Sequence, residues 1–402
     1  MRKTWRPVIL ALLSMMLIDV SMPVSLAATS QLKSSSVALQ QVPPVPFLFP
    51  PYYGTKQVNS VFDHEYPLHD EGSISPTRTN VITSVVHYDG TRWEGTVSSC
   101  TLGTPSCYSG HDGIDYNLRY ERVRAAADGT VVLAGWQDPR NHGKGYGLRV
   151  CIEHSNGYQS TYAHLSVVAI DQGTQITDAA TGSGRIIAIS GNTGRSTGAH
   201  LHFDVKPPNA ANPRYRVNPY GWIGGAGNDP WARRAISYNL WQHFPSISNS
   251  GVYTSGSPIS APPDPDPTGP GVVLIDENSD GFTEDPVGCW TSDTGGYDNS
   301  LRFTSTFTST DVPTYTACAG TWNIPQLPGR AGEYDLYAYI PSPRTTADGA
   351  VYRIHHQGQE NQAIVAQVNF LEGGNHWAYL GKYSFNLNGT ESVRLTNVTL
   401  DE

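Results

Sequence analysis

The chain carries little charge: Asp, Glu, Lys and Arg make up 15% of its 402 residues, and the net charge is −9. With 26 basic residues against 35 acidic ones there is no cationic excess to grip a phosphate backbone, so nucleic acid is excluded as a partner class. Long apolar runs are missing after residue 18, and no later segment offers the roughly 20 apolar residues of a membrane-spanning helix. Long helices are scarce as well. Cysteine is sparse, at five residues.

What the chain does have is glycine (40), proline (29) and tyrosine (22), the composition of many turns joining short aromatic-rich strands. The expectation is an all-β protein, long enough for two domains with separate cores. Arg2, Lys3 and Arg6 precede the apolar run Val8 to Ile18, and Ser25-Leu26-Ala27 offers a small-residue cleavage site. Residues 1–27 therefore read as a signal peptide, giving a secreted, extracellular or cell-envelope protein with no stable membrane insertion once the signal is removed. In that compartment Cys100 can pair with Cys107 and Cys289 with Cys318, whereas Cys151, inside the strand-like LRVCIEH, reads as a buried free thiol.

Composition divides the remainder. Residues 28–51 are Ser/Pro-rich and expected to be mobile or extended. Residues 52–243 contain RAAADGTVVLAGW and GLRVCIEHSNGYQSTYAHLS, which alternate apolar and polar residues around turn signals such as Asn156-Gly157 and predict antiparallel hairpins. Residues 244–270, ending in the proline-rich APPDPDPTGP, read as a linker that no core strand fits. Short strands resume over 271–402, for which a β-sandwich is expected.

Chemistry concentrates in three stretches: HDGID (His111 to Asp115), YAHLS (around His164) and HLHFD (His200 to Asp204). Neutral imidazoles and a carboxylate are what a hydrolytic zinc requires, with one position left open for water. Residues two apart on a strand point to one side, so His200 and His202 can address a common cleft. His142, in NHGKGYG, is a candidate for the substrate groove or a residue of a solvated loop. Asp276 to Gly281 superficially looks like a calcium loop, but the closing acid is missing and Val287 stands in its place, so a turn is expected.

These motifs, in this order, resemble the lysostaphin-like (LytM-type) zinc metalloendopeptidases over roughly Gly110 to Val205. HDGID matches that family's H-x-G-x-D element, and TYAHLS and TGRSTGAHLHFDV match its two downstream elements. The resemblance implies a duplicated-hybrid-motif β-sheet core, zinc ligands at His111, Asp115 and His202, and catalytic His164 and His200 flanking the metal. Asp204 departs from the pattern, since the family often has glutamate there; it can still orient His202 from behind. Residues 271–402 resemble golvesin C-terminal-like domains through GGYDNSLRF, GTWNIPQLPGRAGEYDLYAYIPS, DGAVYRIHHQG and HWAYLGKYSF. Aromatics there (Trp290, Trp322, Tyr337, Tyr339, Trp377, Tyr379) either fill a sandwich core or form a polysaccharide-stacking face.

The function this implies is hydrolysis of peptide bonds in bacterial cell-wall peptidoglycan. Two alternatives are a non-catalytic wall-binding or amidase-activating protein, and a zinc peptidase acting on secreted proteins.

Overall fold

A computed structural model describes residues 43–64, 82–96, 110–181, 184–210, 215–224, 229, 236–243, 254–257, 261–308, 317–327, 329–342, 345–372 and 377–399. The expected signal peptide and the Cys100–Cys107 pair lie outside these. Among the described residues the chain is nearly all β, with helical structure confined to 3₁₀ segments such as Tyr297–Asn299 and Gln367–Glu372. Strand Leu148–Glu153 shows why: buried Leu148, Val150 and Ile152 alternate with less buried Arg149, Cys151 and Glu153, the period of a half-covered sheet. The hairpin with Gln159–Ala163 closes through a three-residue loop, Ser155 to Gly157, and not the two-residue turn that Asn156-Gly157 signals: the Gly157 N–H donates to the His154 carbonyl and the His154 N–H to the Tyr158 carbonyl, with Gly157 in the left-handed region at a φ of 81°.

Two eight-stranded sheets carry the fold. The first runs, edge to edge, Gln175–Ile176, Gly129–Trp136, Leu148–Glu153, Gln159–Ala163, Leu201–Lys206, Ile114–Tyr116, Thr55–Ser60 and Thr254–Gly256. The second runs Phe282–Asp285, Ala319–Asn323, Ser392–Thr396, Ala350–His356, Gln359–Val365, Leu165–Val168, Ile186–Ser190 and Arg122–Arg124.

The second sheet is continuous across the expected domain boundary. Gln359–Val365 pairs antiparallel with Leu165–Val168, Ile364 opposite Val168 and Val365 opposite Val167. One apolar cluster gathers Val167, Ile186 and Ile189 with Ile354, Leu380 and Phe385, so the cores on the two sides of the proline-rich stretch are not separate. Strand Trp377–Phe385, paired with Gly332–Tyr339, covers this cluster as a second layer.

Three expectations change. Residues 43–51, part of the segment expected to be mobile or extended, are tied down: Leu48 is fully buried and its N–H donates to the Leu240 carbonyl, and the Phe49 N–H donates to the Ala126 carbonyl. The 244–270 stretch does hold a short strand, Thr254–Gly256, on an edge, where proline nearby costs no ladder bond. Cys289 and Cys318 are neighbouring free thiols, Cys318 Sγ lying 3.4 Å from the Cys289 carbonyl oxygen, and Cys151 is free as expected.

Candidate metal centre

Register in the first sheet brings the motif residues together. His202 stands opposite Asp115 on one side and opposite Ala163, the residue before His164, on the other. Three strands therefore deliver three motifs to one point, although the residues span about ninety positions of sequence. His164 and His200 sit where the chain changes sheets. His164 links Gln159–Ala163 in the first sheet to Leu165–Val168 in the second, with a φ of 58°. Such a left-handed conformation costs a β-unbranched residue of this kind on the order of 1 kcal/mol or more and is concentrated at functional sites. His200 precedes Leu201–Lys206 and bridges Gly191, its N–H donating to the Gly191 carbonyl at 3.0 Å.

His111 Nε2, Asp115 Oδ1 and His202 Nδ1 converge. The separations are 3.2 Å between the two imidazole nitrogens, 3.3 Å from His111 to Asp115 and 2.9 Å from His202 to Asp115. His200 Nε2 lies 3.7 Å from the same carboxylate oxygen, and the His164 and His200 rings are 4.8 Å apart. His142 is elsewhere: it stacks on Trp136 at 3.6 Å, and its Nδ1 lies 3.1 Å from Asp348 Oδ2 of the C-terminal region.

The outward-facing nitrogens set the tautomers. His111 Nδ1 lies 2.9 Å from the Val61 carbonyl oxygen, which can only accept, so Nδ1 carries the hydrogen and Nε2 turns a lone pair inward. His202 Nε2 faces Asp204 Oδ2 at 3.5 Å, an ion-pair distance, which likewise leaves Nδ1 turned inward. Asp204 is itself gripped by Arg216 and Tyr146; burial alone would raise it, but Arg216 and His202 hold its carboxyl down at about 2. Burial opposes charge on His202, yet the Asp115 and Asp204 carboxylates raise it to about 10. Asp115 too is opposed by burial and held well below the usual carboxylate range by His111 and His202. A pocket negative enough to keep a proton on His202 suits a divalent cation at the same lone pair. The donor set, two inward lone pairs and a carboxylate oxygen, fits a metal.

His164 and His200 are set differently. His164 Nδ1 donates to the Thr193 carbonyl at 2.8 Å, and burial with His200 and His202 beside it lowers its pKa to about 3, so it stays neutral with Nε2 open as an acceptor. His200 Nδ1 donates to the Gly198 carbonyl at 2.7 Å.

Arg216, Tyr146 and Thr193 escape sequence reading, since no spacing rule links them to the motifs. Gly113 is not in the left-handed region; its lack of a side chain makes room for the His202 ring.

Comparison with known proteins agrees with this geometry. Residues 109–214 match Peptidase family M23 and residues 273–402 match the Golvesin C-terminal domain. The chain carries an M23 peptidase domain and a Golvesin C-terminal domain. DD-carboxypeptidase/endopeptidase Mpg of Neisseria meningitidis serogroup B is 40% identical over 97 residues, 24% of this chain and 20% of that protein. Murein hydrolase activator EnvC of Escherichia coli is 30% identical over 133 residues, 33% of this chain and 24% of that protein. Glycyl-glycine endopeptidase ALE-1 of Staphylococcus capitis is 28% identical over 212 residues, 46% of this chain and 56% of that protein. The chain thus spans about a fifth of the length of Mpg. The His-Asp-His group of the M23 domain is a possible metal site.

Proposed function

We propose that this protein is a secreted zinc-dependent endopeptidase that hydrolyses peptide bonds of bacterial cell-wall peptidoglycan. The observation that carries the reading is the convergence of His111 Nε2, Asp115 Oδ1 and His202 Nδ1 within 3.3 Å of one another, beside two imidazoles held in one cleft. His111, Asp115 and His202 would hold the zinc, with Asp204 and Arg216 keeping the His202 ring in place. When bound, zinc supplies Lewis acidity toward a scissile carbonyl. His164 Nε2, unprotonated, accepts the proton of an attacking water, and His200, whose ring lies 4.8 Å from that of His164, relays that same proton to the leaving amine.

The likeness to Mpg and to ALE-1, both described as endopeptidases, favours peptide-bond cleavage, and that to Peptidoglycan DD-endopeptidase ShyA of Vibrio cholerae, 36% identical over 105 residues (25% of this chain, 22% of that protein), favours the wall as substrate. The likeness to EnvC favours the second reading, an activator that cuts nothing, but the complete donor set counts against it, since activation by binding needs no cation. Polysaccharide binding by the C-terminal domain has one candidate surface, the half-buried Tyr297, Tyr339 and Trp377 packed edge to face at 5.2 to 5.8 Å. If that surface binds sugar, Trp377→Ala in the full chain reduces retention on sedimented walls; equal retention rejects it.

The deciding experiment is mass spectrometry of fragments released from purified peptidoglycan, with and without a chelator, for the wild type and His202→Ala. Chelator-sensitive peptide cleavage that His202→Ala abolishes supports the reading. Fragments still released by His202→Ala refute it, and cleavage confined to protein substrates moves the activity off the wall.

A further inference from the structure

Two loops position the paired histidines, and the C-terminal domain holds both. The first is the turn after strand Ile186–Ser190. Its Gly191 carbonyl accepts the His200 N–H, and its Thr193 carbonyl accepts His164 Nδ1–H at 2.8 Å. Between them, the Asn192 N–H donates to Asn369 Oδ1 at 2.7 Å. Asn369 belongs to the 3₁₀ segment Gln367–Glu372, on the far side of the proline-rich stretch. The fit is close: a methyl on Gly191 would lie 2.6 Å from Ser166 N and 2.8 Å from Asn369 Oδ1.

The second loop is NHGKGYG, whose Tyr146 carbonyl accepts the His164 N–H at 2.9 Å. Its His142 Nδ1 lies 3.1 Å from Asp348 Oδ2, again in the C-terminal domain. The loops are also joined to each other, Gly194 N–H to the His142 carbonyl at 2.9 Å and Arg195 N–H to the Gly145 carbonyl at 2.8 Å. Strand Leu165–Val168, which starts at the residue after His164, is laced to the same domain, with the Ala366 N–H donating to the Ser166 carbonyl at 2.8 Å.

We infer that the Golvesin C-terminal domain is a working part of the hydrolytic site, with Asn369 as a positioning residue that fixes the 191–193 turn and through it His164 and His200. This rests on the proposed peptidase function. The physical reason is that the site's geometry is set by backbone carbonyls in a glycine-rich turn, which has little stiffness of its own. Misplacing a proton-transfer group by about 1 Å costs up to about a hundredfold in rate.

The test uses the full-length chain carrying Asn369→Ala or Asn369→Asp, the latter keeping an oxygen that can accept the Asn192 N–H. Bound zinc, thermal midpoint, kcat and KM on purified peptidoglycan, and hydrogen exchange of residues 190–200 are measured together. Asn369→Ala is expected to bind zinc as the wild type does, lose about tenfold or more in kcat at nearly unchanged KM, and exchange faster at 190–200. Asn369→Asp is expected to restore most of the rate. A wild-type kcat and exchange pattern in Asn369→Ala overturns the inference, as does an Asn369→Asp no better than Asn369→Ala. If Asn369→Ala does not fold, Asp348→Ala applies the same readouts to the other loop. A wild type that cleaves no peptidoglycan refutes the proposed function instead, and the exchange of residues 190–200 still decides the positioning.

Discussion

A methyl group on Gly113 would sit 2.4 Å from His202 Cε1 and 2.6 Å from its Nε2, closer than any real contact. The glycine of the first motif is therefore the space in which the histidine of the third motif stands. Gly113→Ala is expected to tilt the His202 ring and weaken metal binding about 10- to 100-fold, the usual cost of disturbing a ligand's support. Competition with a chromophoric chelator measures this, and unchanged affinity would show that the ring can give way freely.

His164 and His200 are expected to separate from the donor trio when each is replaced. His164→Ala and His200→Ala should keep the metal yet lose about 10²- to 10⁴-fold in kcat, the range for removing a proton-transfer group. Metal analysis alongside turnover checks it. Loss of metal in either variant would move that histidine into the binding set.

Arg216 compensates a carboxylate whose side chain is fully buried. Arg216→Met leaves the buried Asp204 carboxylate with His202 as the cationic partner beside it and without its shorter contact, which is expected to cost up to about 3–5 kcal/mol in denaturant unfolding. Adding Asp204→Asn to Arg216→Met should recover much of that. Additive losses in the double variant would mean the two side chains do not interact.

His154 is buried and held neutral, its Nδ1 donating to the Asp128 carbonyl at 2.8 Å and its Nε2 facing Ser160 Oγ at 2.9 Å. Burial lowers its pKa, so the unfolded chain binds the proton more readily than the folded one. The folded state is unaffected above the unfolded value of about 6.5 and loses stability as pH falls below it. His154→Gln is expected to be less stable at neutral pH but to decline less steeply on the acid side. Parallel urea-midpoint curves for the two proteins would reject this.

Strand Leu165–Val168 hydrogen-bonds to Gln359–Val365, and Val167, Ile186 and Ile189 share a core with Ile354 and Leu380. Cutting the chain after residue 260 uncovers an apolar strand edge and these side chains, each worth about 1.5–3 kcal/mol when buried. The shortened chain is expected to unfold at lower temperature and to aggregate. Differential scanning calorimetry and light scattering test it, and an unshifted midpoint would show two independent domains.

The residues of the candidate metal centre stand out in the sequence because metal chemistry restricts ligands to few residue types, and the three motifs retain those types. The all-β class was equally visible, since period-two alternation and turn residues are local properties. His202 opposite Asp115, by contrast, depends on strand register, which no short stretch encodes. Neither Arg216 behind Asp204 nor Asn369 beneath the 191–193 turn could be anticipated from residue type, as arginine and asparagine are common on any surface. The proline-rich stretch suggested two separate cores, because proline and glycine mark breaks in local structure. Whether strands pair across such a break is settled by long-range burial, and here Val365 opposite Val167 makes one sheet of both sides.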